Sequence, residues 1–269
     1  MTKLLNGKEL AGFIKERQAK QVRALRQAHH IFPRLAIITT TDNPVIERYM
    51  ALKQAYGADI LIDVDIHHTT MAEIMPLIAH LNADETVHGI IIQLPLADEN
   101  RTQECVDAVS PSKDVDGLGQ NATLDPATPM AISWLLGGYN VELAGKKIAL
   151  VGRGRLVGAP LERMWRNSGF DVTVITETSS QRVEDLIRYD VIVSATGVPR
   201  LITSAMVKSG AVLVDAGTAS ESGKIVGDLS PELYEREDLT ITPQKGGVGP
   251  LTVTALFDNV IHAAGLGLS

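Results

Sequence analysis

Three polar residues in the first half of the sequence have types and positions that suit catalysis. Tyr49 and Lys53 lie four positions apart, so on a helix they share one face. Gln93 follows a short apolar run, and a polar side chain at the carboxyl end of a parallel strand faces the crevice where α/β folds bind ligands. By itself, the Tyr49–Lys53 spacing is better explained by a half-buried tyrosine beside a solvated lysine.

A glycine-rich loop in the second half has a pattern that suits dinucleotide binding. Gly152, Gly154 and Gly158 give the spacing G-x-G-x-x-x-G between an apolar run and a helical stretch that begins at Val157. The first glycine permits a tight turn, the second lets backbone N–H groups approach a pyrophosphate, and the third lets the helix pack closely on the sheet. The strand before this loop and the helix after it favour dinucleotide binding over a simple close-packed turn.

Charged residues near this loop give conflicting indications of which dinucleotide binds. Arg153 and Arg155 are placed to contact the 2′-phosphate of NADP. Glu177 lies 25 residues after Gly152, where an acidic residue commonly accepts a hydrogen bond from the ribose 2′-hydroxyl of NAD and repels a 2′-phosphate. The other interpretation of Glu177 is a solvated loop charge.

Two further segments carry polar or glycine-rich patterns. Residues 113–117 (KDVDG) place Asp114 and Asp116 before a turn glycine, a pattern that is also typical of an Asx turn. Residues 246–252 (GGVGPLT) precede the last helical stretch. There, Pro250 and the N-cap candidate Thr252 favour a shaped loop over a flexible hinge.

Alternating apolar and helical stretches predict two α/β units with parallel strands. In the first half the predicted strands are 34–40, 58–66 and 88–93, and the predicted helices are 8–30, 44–56, 70–81, 102–109 and 128–136. The Asn43-Pro44 pair starts the second of these helices and Gly57 ends it. In the second half the strands are 147–151, 172–176, 191–195 and 211–215, and the helices are 157–167, 183–189 and 252–264.

The order strand, glycine loop, helix makes the second unit Rossmann-like. We expect residues 1–122 and 250–269 to form one domain, with the last helix covering it, and residues 123–249 to form the dinucleotide-binding domain.

Composition excludes several classes of protein. The chain has 269 residues with a formal net charge of −7, which argues against a broad nucleic-acid surface. Its single cysteine, Cys105, rules out an intrachain disulfide. No apolar stretch approaches the length of a membrane span and the N-terminus does not resemble a signal peptide, so we expect a cytoplasmic protein. His67 and His68 lack acids in ligand spacing, and no metal site is predicted.

Six segments in order resemble the methylenetetrahydrofolate dehydrogenase/methenyltetrahydrofolate cyclohydrolase family. They are Tyr49-x-x-x-Lys53, GIIIQLPL at 89–96, KDVDG at 113–117, TP at 128–129, VGRGRLVGAP at 151–160 and TPQKGGVGPLT at 242–252. The resemblance covers nearly the whole chain. It implies two α/β domains flanking a cleft, a homodimer and NADP as cofactor. The implied activity interconverts 5,10-methylene-, 5,10-methenyl- and 10-formyltetrahydrofolate, a supply for purine biosynthesis.

The resemblance also implies roles for individual residues. Tyr49 would stack on the folate, Lys53 would be the catalytic lysine, Gln93 would tune it by hydrogen bonding, and Asp116 would anchor the pterin. The implied folate-binding set is completed by Leu94, Pro95, Gly246, Gly247, Val248, Gly249 and Pro250. The implied cofactor-binding set is Gly152, Arg153, Gly154, Arg155, Val157, Gly158, Glu177 and Thr218, the last by its backbone near the nicotinamide.

The sequence departs from the family pattern at positions that bear on the cofactor. Gly154 stands where the family usually has a serine that helps hold the 2′-phosphate, and residues 176–179 (TETS) replace a His-Ser pair. Gln244-Lys245 replaces Val-Pro, and Ile46 replaces a serine. These departures spare the four residues with implied folate roles and bear on NADP preference. NADP remains the expected cofactor, with NAD as the alternative.

Other functions fit parts of this pattern. One is a monofunctional NAD-linked methylenetetrahydrofolate dehydrogenase, suggested by Gly154 and Glu177. A second is a non-catalytic dinucleotide- or folate-binding module, which would be expected to lack Lys53 or Gln93. A third is another two-domain dehydrogenase, such as a shikimate-type enzyme, which does not account for the QLP and GGVGP segments.

Overall fold

The computed structural model describes residues 3–180, 182–221 and 224–267. The helices are α1 (Gly7–Ala28), α2 (Pro44–Asp59), α3 (Ile74–Ala83), α4 (Thr102–Asp107), α5 (Ala127–Gly138), α6 (Gly158–Asn167) and α7 (Val248–Gly265). The strands are β1 (Lys3–Leu4), β2 (Arg34–Thr39), β3 (Asp63–His68), β4 (Gly89–Ile92), β5 (Ile148–Val151), β6 (Val172–Ile175), β7 (Val191–Ser194), β8 (Val212–Asp215), β9 (Ala219–Glu221), β10 (Lys224–Val226) and β11 (Thr240–Ile241). Short 3₁₀-helices cover Glu99–Arg101, Val183–Arg188, Ser204–Met206 and Pro231–Glu235. Within this described part, no helix is long and apolar enough to cross a membrane.

The chain divides into two compact units, each with its own parallel sheet. Within the described residues, the three-stranded unit comprises residues 12–127 and 253–267, and the six-stranded unit comprises residues 3–11 and 128–252. The C-terminal stretch thus joins the three-stranded unit. Residues 3–11 lie in the six-stranded unit, whereas the sequence grouped them with the other domain.

The three-stranded unit is built on a parallel sheet in the order β3-β2-β4. Chain order reverses on the two sides of β2, so the carboxyl ends of β2 and β4 form a topological switch point, where open α/β sheets bind ligands. All four residues of β4 are buried, as expected for a parallel strand that is covered on both faces. The core on this sheet contains Ala36, Ile38, Ile74, Ile78, Leu81, Val87, Ile90, Ile92, Leu96, Cys105, Val106 and Val109.

Helix α2 begins where the sequence predicts and ends later. The Asn43 side chain accepts a hydrogen bond from the Val45 N–H at 2.8 Å, which caps the helix. The prediction that Gly57 ends the helix is wrong, because α2 continues to Asp59. A Cβ on Gly57 would lie 2.8 Å from the Ile62 carbonyl oxygen, so this glycine permits close packing. The next strand consequently starts at position 63, not at 58.

Residues 253–265 of the last helix belong to the three-stranded unit. The Phe257 ring is fully buried and stacks on Tyr56, with ring centroids 4.9 Å apart. The Asn259 side-chain amide donates hydrogen bonds to the carbonyl oxygens of Val115 and Asp125, both at 2.9 Å. These contacts hold the segment around Asp125 and the KDVDG segment in place.

The six-stranded unit has a parallel sheet in the order β1-β11-β8-β7-β5-β6. Strand β5 lies between β6 and β7, so this sheet has a switch point at the carboxyl ends of β5 and β7. The two-residue strands β1 and β11 and the antiparallel pair β9–β10 were not predicted. The predicted helix 183–189 is a 3₁₀-helix over Val183–Arg188.

We expect Phe257→Ala to lower the free energy of unfolding by about 3–5 kcal/mol, because it leaves a cavity and removes the stacked ring. Urea denaturation measures this change. The matched control is Leu266→Ala, since Leu266 is 49% exposed near the end of the same segment. A loss for Phe257→Ala no larger than that for the control would contradict the assigned packing of α7.

Candidate active site

Lys53 and Gln93 meet at the switch point of the three-stranded unit. Lys53 is carried by α2, the helix that follows β2, and Gln93 comes directly after β4. The Lys53 ammonium donates a hydrogen bond to Gln93 Oε1 at 2.8 Å. The Gln93 N–H bonds to the Ile38 carbonyl at 2.8 Å and its side-chain amide donates to the Leu94 carbonyl at 3.1 Å, which turns the amide oxygen toward the lysine.

The environment of Lys53 disfavours its charged form. Burial lowers the pKa of Lys53 below the ordinary value for lysine, and the nearby negative charge of Asp116 opposes that shift. The hydrogen-bond partner is a neutral amide, which cannot form an ion pair with the ammonium. A larger share of Lys53 is therefore neutral near physiological pH than for a surface lysine, and a neutral amine can accept a proton.

The KDVDG segment is fixed between a helix end and the sheet. The Lys113 ammonium donates to the carbonyl oxygens of Leu81, Asn82 and Asp84 at 3.0, 2.9 and 2.7 Å, and so binds the end of α3. The Ile90 N–H donates to the Lys113 carbonyl at 2.8 Å, which attaches the segment to β4. The segment therefore extends the sheet edge that carries Gln93.

The two acids of this segment have different environments. Asp114 is buried, and its carboxylate accepts hydrogen bonds from the N–H groups of Gly117 and Gly119 at 2.9 and 2.8 Å, so this side chain shapes the turn. No described residue donates a hydrogen bond to the Asp116 carboxylate. Burial raises the pKa of Asp116, and the positive charge of Lys53 partly offsets that rise. Asp116 is thus the acid that remains available to a ligand.

The other predicted site residues of this unit are close in sequence to Lys53 or to Gln93. Tyr49 is on α2, one turn before Lys53, and is 39% exposed. Leu94 is half-buried and Pro95 is exposed, and the peptide bond between them is cis. The interpretation of Lys53 as a solvated surface lysine is wrong, because its ammonium is bonded to Gln93 in a half-buried position.

The glycine loop of the six-stranded unit has the close contacts that its sequence predicts. A Cβ on Gly158 would lie 2.2 Å from the Gly152 carbonyl oxygen, and one on Gly152 would lie 2.7 Å from the Ala195 carbonyl oxygen. Gly152 also has a φ of +92°. Gly154 faces open space, since the nearest atom to a Cβ there is 4.0 Å away. The loop therefore lies at the switch point between β5 and β7, in front of the N-terminus of α6.

The other predicted cofactor residues are mostly at the surface. Arg155, Glu177 and Thr218 are exposed, whereas Val157, predicted to begin α6, directly precedes it and is half-buried. Arg153 donates from Nε to a carboxylate oxygen of Glu162 at 2.7 Å. The sequence reasoning missed Glu162. The sequence showed only that Glu162 is an acidic residue in the first half of the helix that follows the glycine loop.

The predicted glycine-rich loop before the last helix is shorter than expected. Gly246 and Gly247 form a turn, with a φ of +85° at Gly246, whose carbonyl accepts a hydrogen bond from the Lys8 N–H at 2.9 Å. Helix α7 already begins at Val248, so residues 248–250 are its first turn. The N-cap prediction for Thr252 is wrong, because that residue lies inside the helix.

Acidic residues lie beside one of the histidines, contrary to the sequence prediction. His68 Nδ1 is 3.8 Å from a carboxylate oxygen of Asp42 and 4.0 Å from one of Glu47. The His68 side chain is 53% exposed and that of Asp42 is 99% exposed. These separations and exposures are those of a cluster of polar side chains at the protein surface.

Family models match both halves of the chain. The catalytic-domain model of tetrahydrofolate dehydrogenase/cyclohydrolase matches residues 5–116, and the NAD(P)-binding-domain model of the same enzyme matches residues 126–266. The chain belongs to the tetrahydrofolate dehydrogenase/cyclohydrolase family. The resemblance found from the motifs is therefore confirmed.

Individual relatives are similar over nearly their whole length. The bifunctional protein FolD of Sulfurihydrogenibium sp. is 36% identical, over 96% of this chain and 96% of its own. The crystal structure of the bifunctional enzyme FolD from Campylobacter jejuni has a TM-score of 0.93 at 34% identity and covers 99% of this chain and 100% of its own. The Trypanosoma brucei methylenetetrahydrofolate dehydrogenase-cyclohydrolase, complexed with NADP and an inhibitor, has a TM-score of 0.91 at 26% identity and covers 99% of this chain and 98% of its own.

We expect Gln93→Glu to raise the pKa of Lys53, because a carboxylate in place of the amide stabilises the ammonium. The pH dependence of covalent labelling at Lys53 by an amine-selective reagent, read by mass spectrometry, measures this shift. The matched control is Gln54→Glu, which adds the same charge on an exposed face of α2. An unchanged labelling midpoint in Gln93→Glu would mean that Gln93 does not set the protonation of Lys53.

Proposed function

We propose that this protein is a bifunctional enzyme of one-carbon folate metabolism. It oxidises 5,10-methylenetetrahydrofolate to 5,10-methenyltetrahydrofolate with NADP and hydrolyses that product to 10-formyltetrahydrofolate. The observation that carries the proposal is the 2.8 Å hydrogen bond between the Lys53 ammonium and the neutral Gln93 amide, with Asp116 close by. The bifunctional names of its relatives support it.

The folate is proposed to bind to the three-stranded unit. Asp116 accepts hydrogen bonds from the pterin amino and ring N–H groups, a charge-assisted pairing for which its carboxylate is free of donors among the described residues. Tyr49 offers an exposed ring for stacking on the folate. Leu94, Pro95 and the 246–250 segment are proposed as further folate contacts.

The dinucleotide is proposed to bind at the glycine loop. The backbone at Gly152 and Gly158 is packed too tightly for a side chain, and the open space at Gly154 lets a pyrophosphate approach the N-terminus of α6. A bound nicotinamide dinucleotide would accept the hydride from the methylene carbon. The chain's part in that step is to position the two ligands, since the two flanking nitrogens of the folate stabilise the resulting cation.

NADP is the proposed dinucleotide. Arg153 and Arg155 supply positive charge beside Gly154, and the Trypanosoma brucei relative is complexed with NADP. The Glu177 carboxylate is exposed, so solvent and salt screen its repulsion of a 2′-phosphate. Gly197 and Thr218 lie close in the same unit, with the Thr218 carbonyl 3.5 Å from the Cβ position of Gly197. We propose that the Thr218 backbone borders the nicotinamide.

Hydrolysis is proposed to depend on Lys53. Its neutral amine takes a proton from the attacking water while the oxygen bonds to the methenyl carbon. The resulting ammonium then returns a proton to the departing nitrogen as the carbon–nitrogen bond breaks. The proton of the new hydroxyl passes to solvent, which leaves a formyl group. Gln93 keeps Lys53 in place without adding a charge that would hold it protonated.

The alternatives are less well supported. A monofunctional NAD-linked dehydrogenase has no need of the Lys53–Gln93 arrangement for its hydride transfer, and two of the relatives named above carry the bifunctional name. A non-catalytic binding module gives no reason to keep a lysine whose pKa is lowered. A homodimer and a cytoplasmic location stay predictions.

We expect Lys53→Met to abolish hydrolysis of 5,10-methenyltetrahydrofolate while some oxidation of 5,10-methylenetetrahydrofolate remains, because only hydrolysis needs a proton carrier. Loss of the methenyl absorbance measures hydrolysis, and NADPH formation measures oxidation. The matched control is Lys146→Met, which removes an exposed lysine of the six-stranded unit. Hydrolysis by Lys53→Met at the wild-type rate would exclude Lys53 from the mechanism.

A further inference from the structure

An ion-pair chain connects the glycine loop to the start of a neighbouring strand. Glu162, on α6, accepts a hydrogen bond from Arg153 Nε at 2.7 Å on one carboxylate oxygen. Its other oxygen accepts from Arg166 Nε at 3.1 Å. The Arg166 guanidinium also donates to the Val172 carbonyl at 2.7 Å, at the first residue of β6. Glu162 therefore engages one arginine with each of its carboxylate oxygens.

Glu162 stays charged at neutral pH and is the most buried of the three ion-paired side chains. The hydrogen bond from Arg153 is the main cause that lowers the pKa of the Glu162 carboxyl group. The Glu162 side chain is 16% exposed, against 62% for Arg153 and 52% for Arg166. Its negative charge is thus less screened by solvent than the charges of the two arginines.

Because Arg153 lies in the glycine loop, the negative charge of Glu162 can affect which dinucleotide the loop prefers. Arg153 directly follows Gly152 in the glycine loop, and the proposed function places its positive charge beside the 2′-phosphate of NADP. The Arg153 Nε–H already donates a hydrogen bond to Glu162. The negative charge of the Glu162 carboxylate offsets part of the positive charge of the Arg153 guanidinium. A 2′-phosphate beside Arg153 would therefore meet a weaker positive field, whereas a 2′-hydroxyl would be little affected.

We propose that Glu162 is a selectivity-determining residue: by pairing with Arg153, it restrains the preference for a 2′-phosphorylated dinucleotide over one with a free 2′-hydroxyl. The inference rests on the proposed function, since it requires a nicotinamide dinucleotide at the glycine loop. On this proposal, the acid that reduces the preference for NADP is Glu162 within α6. The sequence pattern had instead indicated Glu177, which follows β6.

Glu162→Gln separates the charge of this residue from its role in orienting Arg153. Glutamine has the same size, and its carbonyl oxygen still accepts from Arg153 Nε, so the contact with Arg153 is kept while the negative charge and the acceptor for Arg166 Nε are lost. We expect the ratio of NADP affinity to NAD affinity to rise by about threefold or more, the effect of one partly exposed charge, with NAD affinity nearly unchanged. Raising the ionic strength should shrink the difference.

Calorimetric titration of the folate-free protein with NADP and with NAD provides the readout. Glu104→Gln is the matched control, because Glu104 accepts from Arg101 Nε at 2.8 Å in a similar pair on the three-stranded unit. Its ratio should match the wild type. In an Arg153→Gln background, Glu162→Gln should leave the ratio unchanged, which shows that Glu162 acts through Arg153.

The outcomes separate this inference from the proposed function. A ratio that stays constant or falls in Glu162→Gln overturns the inference, and so does an equal rise in the Arg153→Gln background. Folate turnover is measured independently, so absence of turnover with normal dinucleotide binding would refute the proposed reaction and leave the selectivity result standing. Absence of binding by both dinucleotides would overturn both.

Discussion

The chemistry that we propose for this protein depends on a half-buried lysine, Lys53, whose hydrogen-bond partner carries no charge. A carboxylate bonded to Lys53 would hold it as an ammonium, whereas the Gln93 amide fixes its position and leaves burial to lower its pKa. Asp116 acts on the lysine only through its field, and that field opposes the effect of burial. The protonation of Lys53 is therefore a balance between desolvation and one nearby acid.

This balance needs a rigid frame, and the parallel sheet supplies it. Lys53 and Gln93 come from the segments after β2 and β4, which lie side by side at the switch point of the three-stranded sheet. Lys113 ties the acidic segment to the end of α3, and Asp114 uses its carboxylate to shape the turn. The second acid of the segment, Asp116, accepts no hydrogen bond from the described residues, so the two aspartates of this short motif have different environments.

Much of this arrangement was predictable, because strong local patterns determine it. Apolar runs fixed the main strands, Asn43-Pro44 fixed the start of α2, and the spacing of Gly152 and Gly158 fixed the tight turn before α6. The predictions from sequence were wrong where tertiary contacts determine the ends of an element. Gly57 looked like a helix end, yet it permits contact with Ile62.

Contacts that no spacing rule describes were also not predictable from the sequence. The two-residue strand β11 is defined by its pairing with β1 and β8, and β1 by its pairing with β11. The contact of Glu162 with Arg153 joins a helix to the loop before it, and no spacing rule for dinucleotide sites singles out that glutamate. The residue pattern by itself did not distinguish Asp114 from Asp116, whereas the hydrogen bonds from the N–H groups of Gly117 and Gly119 to Asp114 do.

The most direct test of this account is an NMR titration of the Lys53 side chain in the unliganded wild-type protein. Lysine labelled with ¹³C at Cε reports the charge of each ammonium, and Lys53→Arg identifies the resonance. The account predicts that Lys53 titrates at lower pH than the exposed lysines in the same spectrum. A Lys53 midpoint equal to theirs or higher would contradict the claim that burial beside a neutral amide prepares this lysine for proton transfer.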